Sequence, residues 1–333
     1  MRHETRSVPS MKAAVYYSTG GPEVFRYEEV ADPIIRDNSV LIQVGAVGIQ
    51  GGDVLNRQGG ALASNPHIVG YQVGGVVIAT GPKVTTLQVG QKVAATMAFG
   101  SHAELVSVPE TSAFAVPDSM SVHDAAGIPI EFGTAHDCLF EFGGLQAGET
   151  VLIQAGASGV GLAAIQLAKQ AGASMVLATA SSDDRLDRLR DYGLDHGINY
   201  SNTDVAAQVM RLTEGKGVNL VVDSVGGKTL EGSIASLAYR GRVSWVGRAG
   251  REEQAPEIWP IMMKNGSIHG VFLGAELAMN PVRTRTMIEG LIARIAAGQL
   301  TVVTDNVFPL AEAEAAHRYI ESRHAFGRVL LVP

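Results

Sequence analysis

Residues 151–173 read VLIQAGASGVGLAAIQLAKQAGA: an apolar run, a glycine-rich turn and a stretch of helical composition. The run 151–155 is apolar apart from Gln154, as suits a strand buried on both faces. Gly156 is expected to permit a tight turn, while Gly159 and Gly161 leave room for a helix, about residues 159–171, to pack closely on that strand. Free N–H groups and the dipole at the N-terminus of such a helix favour a pyrophosphate. In the G-x-G-x-x-G template the three places fall on Gly156, Ser158 and Gly161, so a serine stands for the middle glycine. It is small enough to admit a phosphate, and its hydroxyl can donate to one. Gly156, Ala157, Ser158, Gly159 and Val160 are therefore the first cofactor-binding candidates. The competing reading is a glycine turn that serves packing alone.

The next apolar run, MVLATA (175–180), is followed by Ser181 and Ser182, with Arg185 in the first turn of the helix beyond. A carboxylate at this strand end would hold the ribose hydroxyls of NAD, whereas a 2′-phosphate requires the acid to be absent and a cation nearby. Ser181, Ser182 and Arg185 thus favour NADPH. Ser182 equally suits an N-cap, with Asp183 and Asp184 complementing the helix dipole. Both acids are close enough in sequence to turn toward a ribose.

Farther out, residues 11–116 carry short β-branched runs broken by Gly, Pro and Asp: MKAAVYY, FRYEEV, SVLIQVGAVGI, GGVVIAT, KVAAT and HAELVSV. This pattern predicts a partly open barrel. From about residue 130 strands alternate with helices: VLIQA, MVLATA, VNLVVDS, RVSWVG and SIHGVFL are separated by segments such as DDRLDRLRDYG and DVAAQVMRLTEG. Alternation of this kind predicts βαβ units and a doubly wound parallel sheet, so the fold class is α/β. The final stretch, residues 311–333, offers one more helix and an apolar strand able to return to the first domain.

A chain of 333 residues with 46% apolar residues suits two well-packed domains. Acidic residues outnumber basic ones, 33 to 26, and no Lys/Arg block stands out, which argues against nucleic acid as a partner. The single cysteine, Cys138, excludes an internal disulfide and a multi-cysteine zinc site, and fits a reducing compartment such as the cytoplasm. Residues 1–10 have no apolar signal core, and no later run is long enough to span a membrane.

Taken in order, VGAVGIQGGDVLNRQGG, GYQVGGVV, GQKVAATMAFGSHAELVSVP, AGIPIEFGTAHDCLFEFGGLQAGETVLIQAGASGVG, VVDSVGG and the closing GRVLLVP resemble the zinc-independent medium-chain dehydrogenase/reductase superfamily, in particular its quinone oxidoreductase-like (zeta-crystallin-like) proteins. The resemblance spans nearly all of residues 11–333. It implies an N-terminal extension at 1–10, a GroES-like catalytic domain at 11–130 with 301–333, and a Rossmann NADP-binding domain at 131–300, with the active site in a cleft between the domains. Zinc-dependent members hold their catalytic metal with a Cys, a His-Glu pair and a later Cys or His. The matching places here are Gln50, Tyr71 with Gln72, and about Ile130, and the cysteine-rich lobe for structural zinc is missing. His67, His102 and His136 lack metal-ligand spacing. No metal is expected.

The resemblance also distributes roles. Gln50 stands where relatives carry an Asn beside the nicotinamide, so its amide is a candidate to bond the substrate oxygen; Tyr71 is a second catalytic candidate, with packing as its alternative. Asp53 is expected to brace that loop. Relatives place a Tyr two residues beyond this Asp and another farther on, where Leu55 and GGALASNP stand here. A less aromatic pocket suits an aliphatic enone or enal as well as a flat quinone. Thr134 resembles a Thr that meets the nicotinamide ribose or phosphate, with an N-cap or packing role as the alternative. Tyr200 resembles a residue of the 2′-phosphate pocket. Gly247, Phe272 and Leu273 fall at the ends of later strands, where the backbone would hold the carboxamide. Arg323 resembles a C-terminal Arg that reaches the phosphates, though a solvated Arg at a helix end looks the same. Asp223 is expected to order a turn.

The implied activity is NADPH-dependent reduction of quinones or other α,β-unsaturated carbonyl compounds by direct hydride transfer. The alternatives are an enoyl-thioester reductase and an NADPH-binding sensor or structural protein with little turnover. A homodimer is expected, with SIHGVFL as a candidate edge strand.

Overall fold

The computed structural model describes residues 10–252 and 254–333. Of the expected N-terminal extension, only Ser10 lies within the described residues, and it opens the first strand. The chain forms two compact units, one made of the described residues up to Ile130 with Thr304–Pro333, the other of Glu131–Val303.

In the first unit, β1 (Ser10–Val15) pairs antiparallel with β2 (Arg26–Ala31). The larger sheet contains β3 (Ser39–Gly48), β4 (Gln72–Thr80), β5 (Lys92–Thr96), β6 (Leu105–Pro109) and β7 (Ala113–Ala115). Two further strands complete it, β14 (Thr304–Pro309) and β15 (Arg328–Val332), and the order is β14-β15-β3-β4-β5-β7, with β6 joined to β3. The C-terminal strand therefore does return to the first unit, pairing Leu330 with Gly48 and Leu331 with Val47. Inward residues such as Val40, Ile42, Val44, Val73, Val77 and Val93 form the core. β7 and β14 escaped the sequence reading because Ala113–Ala115 is too short to show a period and Thr304–Pro309 is mostly exposed and shows no alternation of polar and apolar residues.

The second unit holds six strands: β8 (Thr150–Ile153), β9 (Met175–Ala180), β10 (His196–Asn199), β11 (Val218–Asp223), β12 (Leu237–Trp245) and β13 (Ser267–Gly270). All pair in parallel, in the order β10-β9-β8-β11-β12-β13. Read from β8, this is the 3-2-1-4-5-6 order of a dinucleotide-binding sheet, whose strand order reverses between β8 and β11. The expected strand 267–273 stops at Gly270, and Leu273 instead opens a helix, Leu273–Met279. β13 occupies the sheet edge. Beside it in sequence, the short helix Trp259–Lys264 leaves Trp259, Met262 and Met263 exposed.

His102, one of the three histidines singled out in the sequence, meets His317 in the core of the first unit. His102 Nε2 lies 3.1 Å from His317 Nε2, with Phe25 against both rings. Burial holds both imidazoles neutral: His102 is pushed down to about 3 and His317 well below its ordinary value, each also disfavoured by charge on the other or on a nearby histidine or arginine. The unfolded chain takes up protons near pH 6.5 that the native pair refuses, so stability is complete above that pH and is lost as pH falls from 6.5 toward 3. The urea midpoint is expected to drop between pH 7 and pH 5, by up to about 1.4 kcal/mol of stability per pH unit for each histidine. His317→Gln should flatten that slope; an unchanged slope would show that the pair does not govern it.

Candidate functional site

The glycine turn follows β8, with one correction to its expected anatomy. The strand ends at Ile153, and the left-handed residue that reverses the chain is Ala155, at φ 52°, not Gly156. Gly156 is needed for closeness: a Cβ there would sit 2.7 Å from the Ala178 Cβ and 3.0 Å from the Leu189 Cδ1. At Gly161 it would meet the Ala155 and Gly156 carbonyl oxygens at 2.4 and 2.6 Å. The helix Gly159–Gln170 begins at Ser158, whose Oγ accepts from the Gly161 N–H at 3.0 Å. That contact leaves the Ser158 hydroxyl hydrogen available to donate. The N–H groups of Gly159 and Val160, at the first two helical positions, have no intrahelical acceptor. Together these groups suit a pyrophosphate.

Beneath the turn runs a buried polar chain that the sequence betrayed only through Gln154 in an apolar run. Thr179 Oγ1 donates to Gln154 Oε1 at 2.8 Å, Gln154 Nε2 donates to Ser233 Oγ at 3.0 Å, and Ser233 donates to Asp223 Oδ2 at 2.7 Å. The other Asp223 oxygen accepts from the Val225 and Gly226 N–H groups at 2.8 and 2.9 Å, so Asp223 does order its turn. Thr179 also receives the Ala155 N–H on its hydroxyl and the Gly156 N–H on its carbonyl, at 3.1 and 2.8 Å.

At the end of β9, Arg185 Nη1 donates to Ser181 Oγ at 3.4 Å. Ser182 takes the N-cap position of the helix Asp183–Arg190 but makes no side-chain cap, so the capping role weighed for it is not realised. Asp183 is tied to Asn199, whose Nδ2 donates to it at 3.0 Å. Tyr200 is half-exposed, and its N–H donates to the Ala180 carbonyl at 3.1 Å, which puts it alongside Ser181.

The remaining cofactor candidates divide. Thr134 is buried inside the helix Pro129–His136, which rules out the N-cap alternative. Gly247 lies just past β12, with its carbonyl accepting from Trp245 Nε1 at 2.7 Å. Phe272 is exposed, but the Leu273 side chain is buried and lies within 3.0 Å of where a Cβ on Gly133 would be, so any ligand contact from Leu273 is left to its backbone. Arg323 belongs to the first unit, exposed and at φ 61° beyond the helix Ala313–Glu321.

In the first unit, Gln50 is buried at the N-cap of the helix Gly51–Gly59. Asp53, three residues on, accepts from the Gln50 N–H at 2.8 Å and so braces the loop. The helix is anchored at its far end, where the buried Arg57 guanidinium donates to Glu321 and to the Gly20 carbonyl. Tyr71 donates to the Gly52 carbonyl at 3.3 Å. Burial and then the charge of Asp53 push the Tyr71 phenol up to about 12, so it remains a proton-bearing donor at neutral pH. Gln72 Oε1 accepts from the Ile130 N–H at 3.0 Å. Among the described residues, no cluster of three or more His, Cys, Asp or Glu side chains is arranged to hold a metal ion.

Comparison with known proteins agrees with this two-unit fold. The family described as alcohol dehydrogenase GroES-like domain matches residues 36–118, and the one described as zinc-binding dehydrogenase matches residues 159–307. A quinone oxidoreductase of Pseudomonas aeruginosa is 32% identical over 326 residues, covering 97% of this chain and 99% of its own. A 2-haloacrylate reductase of a Burkholderia species is 31% identical over 332 residues, covering 96% and 98%. A mycobacterial protein solved in complex with NADPH superposes with a TM-score of 0.91 at 31% identity, covering 97% of this chain and all of that one. With the 3-2-1-4-5-6 sheet, the glycine turn and relatives alike over nearly their whole length, the chain belongs to the quinone oxidoreductase-like family of the medium-chain dehydrogenase/reductase superfamily.

Proposed function

We propose that this protein is an NADPH-dependent reductase of quinones or other α,β-unsaturated carbonyl compounds, working without zinc. The observation that carries the metal-free part is the use made of the zinc-ligand places. Gln72 is committed to the Ile130 backbone, Tyr71 to the Gly52 carbonyl, and Gln50 offers an amide, so hydrogen-bond donors and neutral acceptors stand where a cation would need thiolate, imidazole or carboxylate. The NADPH part is supported by Ser181 and Arg185 side by side at a strand end whose nearest acid is held aside. It is supported further by the NADPH bound to the mycobacterial relative.

When bound, NADPH supplies a hydride to the electron-poor carbon of the acceptor. The protein's own part is binding and orientation. Gln50, held at a fixed helix end by Asp53, directs its amide N–H to the acceptor oxygen, and the protonated Tyr71 becomes a second donor by turning its single hydrogen from the Gly52 carbonyl to that oxygen. Negative charge that develops on that oxygen is stabilised there until water supplies the proton. A quinone asks no more of the site than this, and the relative named for 2-haloacrylate reduction supports an activated carbon–carbon double bond as a further acceptor.

NADPH oxidation with 1,4-benzoquinone, 9,10-phenanthrenequinone, an alkenal and crotonyl-CoA tests the reading. Turnover of a quinone or the alkenal is expected; turnover of crotonyl-CoA alone would make the protein an enoyl-thioester reductase, and saturable NADPH binding with no turnover would make it a binding protein. On the accepted substrate, Gln50→Ala should lower kcat on the order of tenfold with NADPH affinity nearly intact, and an unchanged rate would remove Gln50 from the mechanism. Arg185→Ala should weaken NADPH by about tenfold or more and NADH far less; equal losses would count against a 2′-phosphate partner. A homodimer through β13 is supported by its place at the sheet edge and by the exposed Trp259, Met262 and Met263 beside it. Light scattering should give twice the chain mass, and a monomer at micromolar concentration would overturn this.

A further inference from the structure

The helix that follows β9 carries two acids, Asp183 and Asp184, and a base within its first three residues, and Asp183 and Arg185 would pull a nucleotide in opposite directions. Asp183, turned toward the strand end, would accept from a ribose 2′-hydroxyl and repel a 2′-phosphate; Arg185 would attract the phosphate. The two are sorted by different neighbours. Arg185 lies against the Ser181 hydroxyl. Asp183 is drawn to β10, which runs parallel beside β9 with Asn199 in register with Ala180.

Asn199 is built to hold that acid. Its Oδ1 accepts from the Ser201 N–H at 3.0 Å, which fixes which end of the carboxamide is oxygen. The opposite end, Nδ2, must then point the other way, and it donates to Asp183 Oδ1 at 3.0 Å. The segment after Asn199 is itself tied to the end of β9, through Tyr200 N–H to the Ala180 carbonyl at 3.1 Å and Ser201 Oγ to the Ser181 carbonyl at 2.9 Å. The donor that captures Asp183 is thus anchored to the same strand end whose chemistry it protects.

We infer that Asn199 is a specificity-determining positioning residue: by holding the Asp183 carboxylate against β10, it keeps that acid from the end of β9 and so favours a 2′-phosphorylated nucleotide over its 2′-hydroxyl counterpart. This rests on the NADPH reading. It adds that the preference depends on restraining an acid as well as on supplying Arg185.

The test is equilibrium binding to the full chain of adenosine 2′,5′-bisphosphate and adenosine 5′-monophosphate, which requires no turnover. The unaltered protein should prefer the bisphosphate. Asn199→Ala should weaken the bisphosphate about three- to tenfold while the monophosphate is held as well or better, because the freed carboxylate meets the 2′-phosphate. Asp183→Ala alone should leave the preference at or above its starting value, and Asn199→Ala combined with Asp183→Ala should restore it. Restoration is the result that a merely structural role for Asn199 would not give. An unchanged preference in Asn199→Ala, or a loss that removal of Asp183 does not repair, overturns the inference while the NADPH reading stands. Equal affinities for the two nucleotides in the unaltered protein overturn the NADPH preference, and the inference with it.

Discussion

Parallel strands covered on both faces leave no water for a polar side chain, so each one placed there must find its partner within the protein. The chain from Thr179 through Gln154 and Ser233 to Asp223 satisfies that constraint at the carboxyl ends of β8, β9 and β11. Each hydroxyl or amide in it donates to the next group, and the chain ends on a carboxylate that receives two backbone N–H groups. The glycine turn depends on this arrangement, since Thr179 holds the N–H groups of Ala155 and Gly156 while its hydroxyl is oriented by Gln154. The strained conformation at Ala155 persists because its own N–H and that of the following residue are both fixed.

The first unit solves a different problem, that of keeping a neutral donor at a helix end. Asp53 closes the turn at Gln50, and the pairing of Arg57 with Glu321 anchors the same helix to the C-terminal segment. That link, together with the return of β15 to β3, makes residues distant in sequence part of one support. The buried histidines 102 and 317 belong to this support as well. Their neutral state is an outcome of burial beside Phe25.

Much of the fold was legible in the sequence because it rests on local pattern. Apolar runs at β8, β9 and β11 could only be buried strands, and their alternation with helical segments pointed to a doubly wound sheet. The helix was readable from about Gly159, and it does begin there, with Ser158 as its N-cap. Gly156 was assigned to the turn when its real constraint is the approach of Ala178 and Leu189, residues whose position no local pattern encodes. Leu273 was misplaced for a similar reason: an apolar run continued in the sequence where the strand had ended, and a helix began.

The residue types at the candidate positions were determined by the sequence alone: a small hydroxyl in the glycine turn, serines and an arginine after β9, and no thiolate, imidazole or carboxylate at the places that match the zinc ligands of relatives. Which of those residues act together was decided only by the tertiary structure. Asp183 and Arg185 are two residues apart and chemically opposed, and nothing in that spacing tells which of them faces a nucleotide. Asn199 decides it across a strand pairing, because hydrogen bonds reach about 3 Å and only the parallel register of β9 and β10 brings those groups within that distance.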